Sequence, residues 1–391
     1  MKQLKLILIF VVLVSSLLPF QVYAETGQQI DVPDIKSGAA VLVDTHTGSI
    51  LYEKNSKTKM YPASLTKMAT AIYAIETGNL EDLVTVSANA YNTGGTRVYL
   101  EEGEKVTLKN LIQGLLINSG NDAGTAIAEH LNGSVDDFAD SINAYLKEKV
   151  GVEQTHFTNP HGLFDEEHYT TAYDLALITK YAMKNPVFRE IFGTKELKWD
   201  GESWDTTLHS HHLMLRGEIP FESVTGGKTG FVNESRHTLS TSAEQGELSL
   251  IAIVLQADRK EIAYEDTVEL FDYGFENFEV AEVTKEQPFI DEKNASYRLD
   301  KPLAYTKKKN EEIELVLNDQ GVLQILGEDG RLLSMKQLKM DIPNEAMSTR
   351  AEITPAEQNE TNPIPAILMV VFLSIGIVYL QKTIKNMKKS T

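Results

Sequence analysis

Apolar and polar positions change rhythm several times along this 391-residue chain, and each change marks an element. Ala39 to Val43 and Ser49 to Tyr52 are short apolar runs joined by Asp44-Thr45-His46-Thr47-Gly48, a turn-rich connection, so they read as a hairpin. Helical spacing then takes over. Leu65, Met68, Ala69, Ile72 and Tyr73 recur at three and four residues and Gly78 stops the run, which puts Ser64 at a helix N-terminus as its cap. Thr107 can cap a segment carrying Leu108, Leu111, Ile112, Leu115 and Leu116, and further helical patterns cover 123–131, 135–150 and 171–184. Strands return at 238–242 and 248–255 around Glu244-Gln245-Gly246, with Lys228 opening the first of this late group, and 265–273 reads as a closing helix. Strand pair, helices, strand group and helix, in that order, predict an α/β (α+β) domain whose sheet is assembled from both ends of the segment, with helices packed beside it.

The pattern differs beyond this domain. From Phe278 to Ile342 short strand-like pieces (296–299, 313–317, 322–326) alternate with turns, so a small β-rich domain over 278–342 is expected. Residues 343–363 are polar, prolyl and acidic with no hydrophobic period, and read as a stalk. Ile364 to Leu380 is apolar and uncharged, followed by Lys382, Lys385, Lys388 and Lys389, which predicts a membrane anchor with a cytoplasmic tail. At the other end Lys2 and Lys5 precede an apolar run from Leu6 to Leu18 and the small-residue site Val22-Tyr23-Ala24, so residues 1–24 read as a secretory signal and the mature chain starts near Glu25. Everything between signal and anchor is therefore expected on the outer face of the membrane.

Composition removes some chemistries. The chain has no cysteine, which excludes thiol catalysis and thiolate metal sites. Its net charge of −19 argues against a nucleic-acid partner, because phosphate binding needs basic surface. His209, His211 and His212 lack a following carboxylate at ligand spacing, and His161 and His168 near Glu166 and Glu167 form no H-E-x-x-H, so neither a metal nor any other cofactor is expected. Trp199, Trp204 and Phe192 are assigned to hydrophobic packing.

Three short motifs carry the positive signal. In Ser64-Leu65-Thr66-Lys67 the serine and lysine lie at i and i+3 of one helix, so both side chains leave the same face. A lysine in a desolvated pocket beside another cation, such as Lys228, loses its proton and can take one from a hydroxyl. Ser119-Gly120-Asn121 sits on a tight connection between helices, where Ser119 can relay a proton and Asn121 can bond a peptide carbonyl and Lys67. Lys228-Thr229-Gly230 brings a cation, a hydroxyl and a residue without a side chain to a strand edge that an extended peptide could join.

This order of S-x-x-K, S-x-N and K-T-G is that of serine β-lactamases and penicillin-binding proteins. Together with Tyr61-Pro62-Ala63-Ser64, Asn159-Pro160-His161-Gly162-Leu163, Thr170-Thr171-Ala172-Tyr173-Asp174-Leu175-Ala176, Gly226-Gly227-Lys228-Thr229-Gly230 and Asp272-Tyr273-Gly274-Phe275, it resembles the serine-type D-alanyl-D-alanine carboxypeptidases, the low-molecular-mass penicillin-binding proteins. The resemblance implies a β-lactamase/transpeptidase-like catalytic domain over about 30–276, with an antiparallel sheet and a helical subdomain. It implies Ser64 as acyl-ester nucleophile, Lys67 as proton acceptor and Ser119 with Asn121 as the second motif. Lys228, Thr229 and Gly230 would bind substrate, Lys228 through its terminal carboxylate, and backbone N–H groups of Ser64 and Phe231 would form the oxyanion hole. The implied partners are a peptidoglycan stem peptide ending in D-Ala-D-Ala and β-lactam antibiotics.

Two positions depart from the resemblance. Where relatives carry an arginine that helps hold the substrate carboxylate, this chain has Ala263, leaving Arg259 and Arg236 as candidate replacements. The segment Val232-Asn233-Glu234-Ser235-Arg236-His237 after the third motif also departs from the usual small residues. A serine β-lactamase and a non-catalytic wall-binding protein are the rival readings.

Overall fold

A computed structural model describes residues 31–340; the expected signal, stalk and membrane anchor lie outside the described residues. The chain enters as β1 (Ala39–Asp44) and β2 (Ile50–Lys54), then passes through α1 (Thr66–Thr77), β3 (Leu83–Thr85), α2 (Ala88–Tyr91), β4 (Lys105–Thr107), α3 (Leu108–Ile117), α4 (Asn121–Asn132) and α5 (Val135–Tyr145). It continues as α6 (Ala172–Ala182), α7 (Pro186–Phe192), the hairpin β5 (Glu196–Asp200) and β6 (Asp205–His209), and α8 (Leu213–Arg216). Strands β7 (Val224–Val232), β8 (Arg236–Gln245) and β9 (Leu248–Ala257) lead into α9 (Lys260–Asn277).

The main sheet is antiparallel, in the order β2-β1-β9-β8-β7. N-terminal β1 pairs with β9, so the two ends of the domain meet in the sheet as the sequence order predicts. Both faces are covered, which explains the continuous apolar runs of β1 and β9. Ala39, Val41, Val43, Ile251, Ile253 and Leu255 face the core shared with α1, α3, α4, α5 and α6, while Ala40, Leu42, Leu250, Ala252 and Val254 face α9. The two-residue period of a strand divides one apolar run between two cores.

Thr107 caps α3, its hydroxyl accepting from the Asn110 N–H. Other expectations need correction. Ser64 does not cap a helix: it lies inside a 3-10 turn, Ala63–Leu65, that runs into α1, whose capping position is Leu65. Lys228 does not open its strand but is the fifth of the nine residues of β7. The helix expected over 135–150 ends at Tyr145 and widens into a π turn at Leu146–Val150, and the closing helix starts at Lys260, earlier than expected.

Beyond α9 come β10 (Phe278–Val283), β11 (Phe289–Ile290), β12 (Ser296–Arg298), β13 (Leu303–Lys308), β14 (Ile313–Leu317), β15 (Val322–Gly327), β16 (Leu332–Gln337) and β17 (Lys339–Met340). They form small antiparallel sheets around a third core that includes Val283, Phe289, Tyr297, Leu323 and Ile325. This is the expected β-rich region.

Candidate active site

The edge strand β7 passes directly over the turn that carries Ser64. A Cβ added at Gly230 would lie 2.4 Å from Thr238 Oγ1 and 2.9 Å from the Ser64 backbone nitrogen, so only glycine allows this approach. Thr238 Oγ1 in turn donates to the Pro62 carbonyl at 3.0 Å, fastening β8 to the same turn. The other side of β7 has no strand partner among the described residues.

Lys67 is wholly buried, its Nζ 2.7 Å from Ser64 Oγ and 2.5 Å from the His161 carbonyl oxygen. Burial, reinforced by the charge of Lys228 and opposed by Asp122, holds its pKa well below the usual lysine value. A neutral amine that donates to the His161 carbonyl keeps its lone pair for the Ser64 hydroxyl.

The second and third motifs meet face to face. Lys228 Nζ donates to Ser119 Oγ at 3.0 Å and to the Thr229 carbonyl at 2.9 Å, and burial pushes its pKa down to about 7. Ser119 is held at φ +63°, an uncommon conformation for a serine, between α3 and α4. Asn121 is placed differently from expectation. Its amide nitrogen donates to the Gly94 carbonyl at 2.7 Å and its backbone N–H to Thr96, tying the 94–100 loop to the site, and no bond to Lys67 forms among the described residues. Asp122 completes that tie by accepting from the N–H groups of Val98 and Leu100.

Several further residues support the site in roles that the sequence pattern does not assign to them. The 159–168 loop braces α1 from behind: Thr70 Oγ1 donates to the Pro160 carbonyl, and His168 Nε2 lies 2.8 Å from Thr66 Oγ1. Gly162, at φ +85°, has the Ala63 carbonyl oxygen 1.8 Å from where a Cβ would sit. Behind β7, His212 caps α8 and places Nε2 2.8 Å from Thr241 Oγ1. No cluster of three or more metal-ligating side chains occurs among the described residues. Trp199 and Phe192 are buried in the core, and the Trp204 indole N–H donates to the Val98 carbonyl.

A cavity of about 460 Å³ opens over Ser64, Ser119 and Thr229, and Phe231, Lys260 and Ala263 also line it. A second groove, along Leu213, Tyr264 and Val268, bears none of the motif residues. A serine, a proton-accepting lysine and an edge strand able to align an extended peptide define the class: a serine acyl-transfer hydrolase.

Comparison with known proteins then gives the family. Residues 26–259 match the D-alanyl-D-alanine carboxypeptidase family profile, and the chain belongs to that family. It is 32% identical over 286 residues to the D-alanyl-D-alanine carboxypeptidase DacF of Bacillus subtilis (strain 168), spanning 71% of this chain and 72% of the relative. It is 30% identical over 300 residues to DacA of Haemophilus influenzae, spanning 71% and 72% of the two chains. The crystal structure of penicillin binding protein 5 from Haemophilus influenzae superposes with a TM-score of 0.70 at 25% identity, covering 80% of this chain and 98% of that one.

Proposed function

We propose that this serine carboxypeptidase removes the terminal D-alanine from peptidoglycan pentapeptide stems through an acyl-enzyme on Ser64, and that β-lactams acylate the same hydroxyl. The observation that carries this reading is the 2.7 Å contact between Ser64 Oγ and a buried lysine whose pKa is strongly lowered. Lys67 accepts the Ser64 proton as Oγ attacks the carbonyl of the penultimate D-alanine. The backbone N–H groups of Ser64 and Phe231 stabilise the negative oxygen of the tetrahedral intermediate, a role supported by the close approach of β7 to Ser64. The Lys228–Ser119 contact provides a path for the proton needed by the departing D-alanine nitrogen. Water then hydrolyses the ester.

A β-lactamase of the class that activates its deacylating water with a glutamate would need a carboxylate beside Ser64. Glu166 and Glu167 are exposed and outside the cavity, and no acidic residue lines it. The direct experiment is D-alanine release from a pentapeptide stem. Wild-type protein is expected to release it and Ser64→Ala to release none; release by Ser64→Ala at the wild-type rate contradicts the reading.

We place the enzyme on the outer face of the bacterial cytoplasmic membrane, delivered by residues 1–24 and held by 364–380. Support comes from hydropathy and the lysines after Leu380. A chain ending at Pro363 is expected in the medium instead of the membrane fraction; its retention in membranes would argue against the anchor.

A further inference from the structure

The cavity beside Ser64 is lined by no aspartate or glutamate, although the chain carries a net charge of −19. Its basic groups are not equivalent. Lys67 and Lys228 are buried and engaged with Ser64, the His161 carbonyl, Ser119 and the Thr229 carbonyl. His211 lines the cavity, but burial and the cations Lys228, Arg216, Lys260 and Lys67 push its pKa down to about 4, so it is neutral near pH 7. His237 packs against Phe231 with ring centroids 4.7 Å apart, and burial lowers its pKa too.

Lys260 differs from all of these. It lines the cavity, is exposed, and makes no hydrogen bond or ion pair among the described residues; it also borders the neighbouring groove that Glu261, Glu265 and Glu269 line. Glu265 on the same helix is paired with Lys36 at 3.2 Å instead. Lys260 and Ala263 stand at i and i+3 of α9, so the lysine occupies the cavity-facing row one turn before the uncharged alanine. The two arginines that sequence offered as replacements are elsewhere. Arg236 is ion-paired with Asp258, and Arg259, the residue preceding α9, does not line the cavity. Helix stability does not explain Lys260 either, because a lysine in the first turn works against the helix macrodipole.

We infer that Lys260 is the specificity-determining cation of this active site, pairing through its ammonium with the free carboxylate of the substrate's terminal residue. The inference rests on the reading of Ser64 as nucleophile and of the C-terminal residue as leaving group. Lys260 thereby restricts cleavage to peptides with a free terminus, in company with Thr229 at the cavity wall.

The test uses the full chain and two peptides, a pentapeptide stem ending in D-Ala-D-Ala and the same peptide with its terminal carboxyl converted to a carboxamide. The readout is the ratio of kcat/KM for carboxylate over carboxamide. Losing a charge-assisted contact is expected to lower that ratio about tenfold in Lys260→Ala, through KM, and further in Lys260→Glu, with Lys260→Arg within about threefold of wild type. Equal losses on both peptides would show a structural role, and an unchanged ratio in Lys260→Ala would leave recognition to Lys228 and Thr229; either overturns the inference. Failure of the underlying reading has a different mark: D-alanine release would survive Ser64→Ala while wild-type selectivity stayed intact. Thermal melts of each variant identify any that fail to fold.

Discussion

At the scale of single residues, everything turns on the protonation of two lysines. Lys67 must be neutral to accept the Ser64 proton, and burial favours that form; Lys228 serves the departing amine best when charged, and burial leaves its pKa at about 7. The signs are opposite, so kcat/KM is expected to rise with pH as Lys67 deprotonates and to fall as Lys228 does, with the alkaline limb near pH 7 in the free enzyme. Lys228→Arg should remove that alkaline limb, and a limb that persists in this variant would assign it to another group. Lys67→Arg keeps the charge and loses the base, so the rate of acylation by penicillin should drop about 10²–10⁴-fold. A drop of less than about tenfold would mean another group takes the proton. The Ser64–Lys67 pair was legible because an i, i+3 spacing survives the change from a 3-10 turn to an α-helix. The carbonyl of His161 that orients Lys67 was not, since a backbone acceptor 94 residues away leaves no trace in side-chain pattern.

Elements set the distances on which those residues depend. Gly230→Ala would place a methyl 2.4 Å from Thr238 Oγ1 and 2.9 Å from Ser64 N, forcing β7 away from the nucleophile. With the fold retained, kcat/KM should fall on the order of 10²-fold, as for an approximately 1 Å misplacement. A variant with normal kcat/KM would show that β7 does not need this approach. The 159–168 loop behind α1 gives a second prediction. Burial lowers the pKa of His168 from 6.5 to about 3, so the unfolded chain binds a proton that the folded chain refuses between those values. Stability is therefore full above about pH 6.5 and declines as pH falls, by up to about 1.4 kcal/mol per pH unit for this residue. Melting temperatures from pH 7 to 5 should show that decline, and His168→Gln should make it shallower; an unchanged slope would contradict the assignment. Long elements were legible: β1 and β9 are continuous apolar runs, and α3 and α6 carry clear apolar periods. The three-residue β3 and β4 and the four-residue α8 were not, because so few residues hold no period. The apolar repeat starts at Leu65 and so marks Ser64 as a cap, whereas the 3-10 turn before α1 is fixed by tertiary contacts such as Thr238 with Pro62.

For the whole molecule, the sheet separates two cores and carries the cavity at its β7 edge, while the β-rich region adds a third core. The catalytic fold and this region are joined by polar contacts: the buried Thr306 Oγ1 donates to the fully buried Asp44 carboxylate at 2.6 Å, and the exposed Lys309 reaches the Phe275 carbonyl with Nζ at 2.9 Å. Thr306→Val removes a bond to a buried charge and should cost about 1–3 kcal/mol of stability while the acylation rate stays unchanged. A loss of acylation at unchanged melting temperature would instead make the region part of the catalytic apparatus. Short strands in this region could be read from sequence, but their pairing could not: β10 joins β13 and β12 joins β17 across intervening chain, and no local turn announces either. The central claim, that this molecule works through an acyl-enzyme on Ser64, is tested most directly by mapping the penicillin adduct by peptide mass spectrometry. A single adduct in the peptide containing Ser64, absent from Ser64→Ala, is the predicted result; an adduct on any other residue, or labelling that survives in Ser64→Ala, would contradict it.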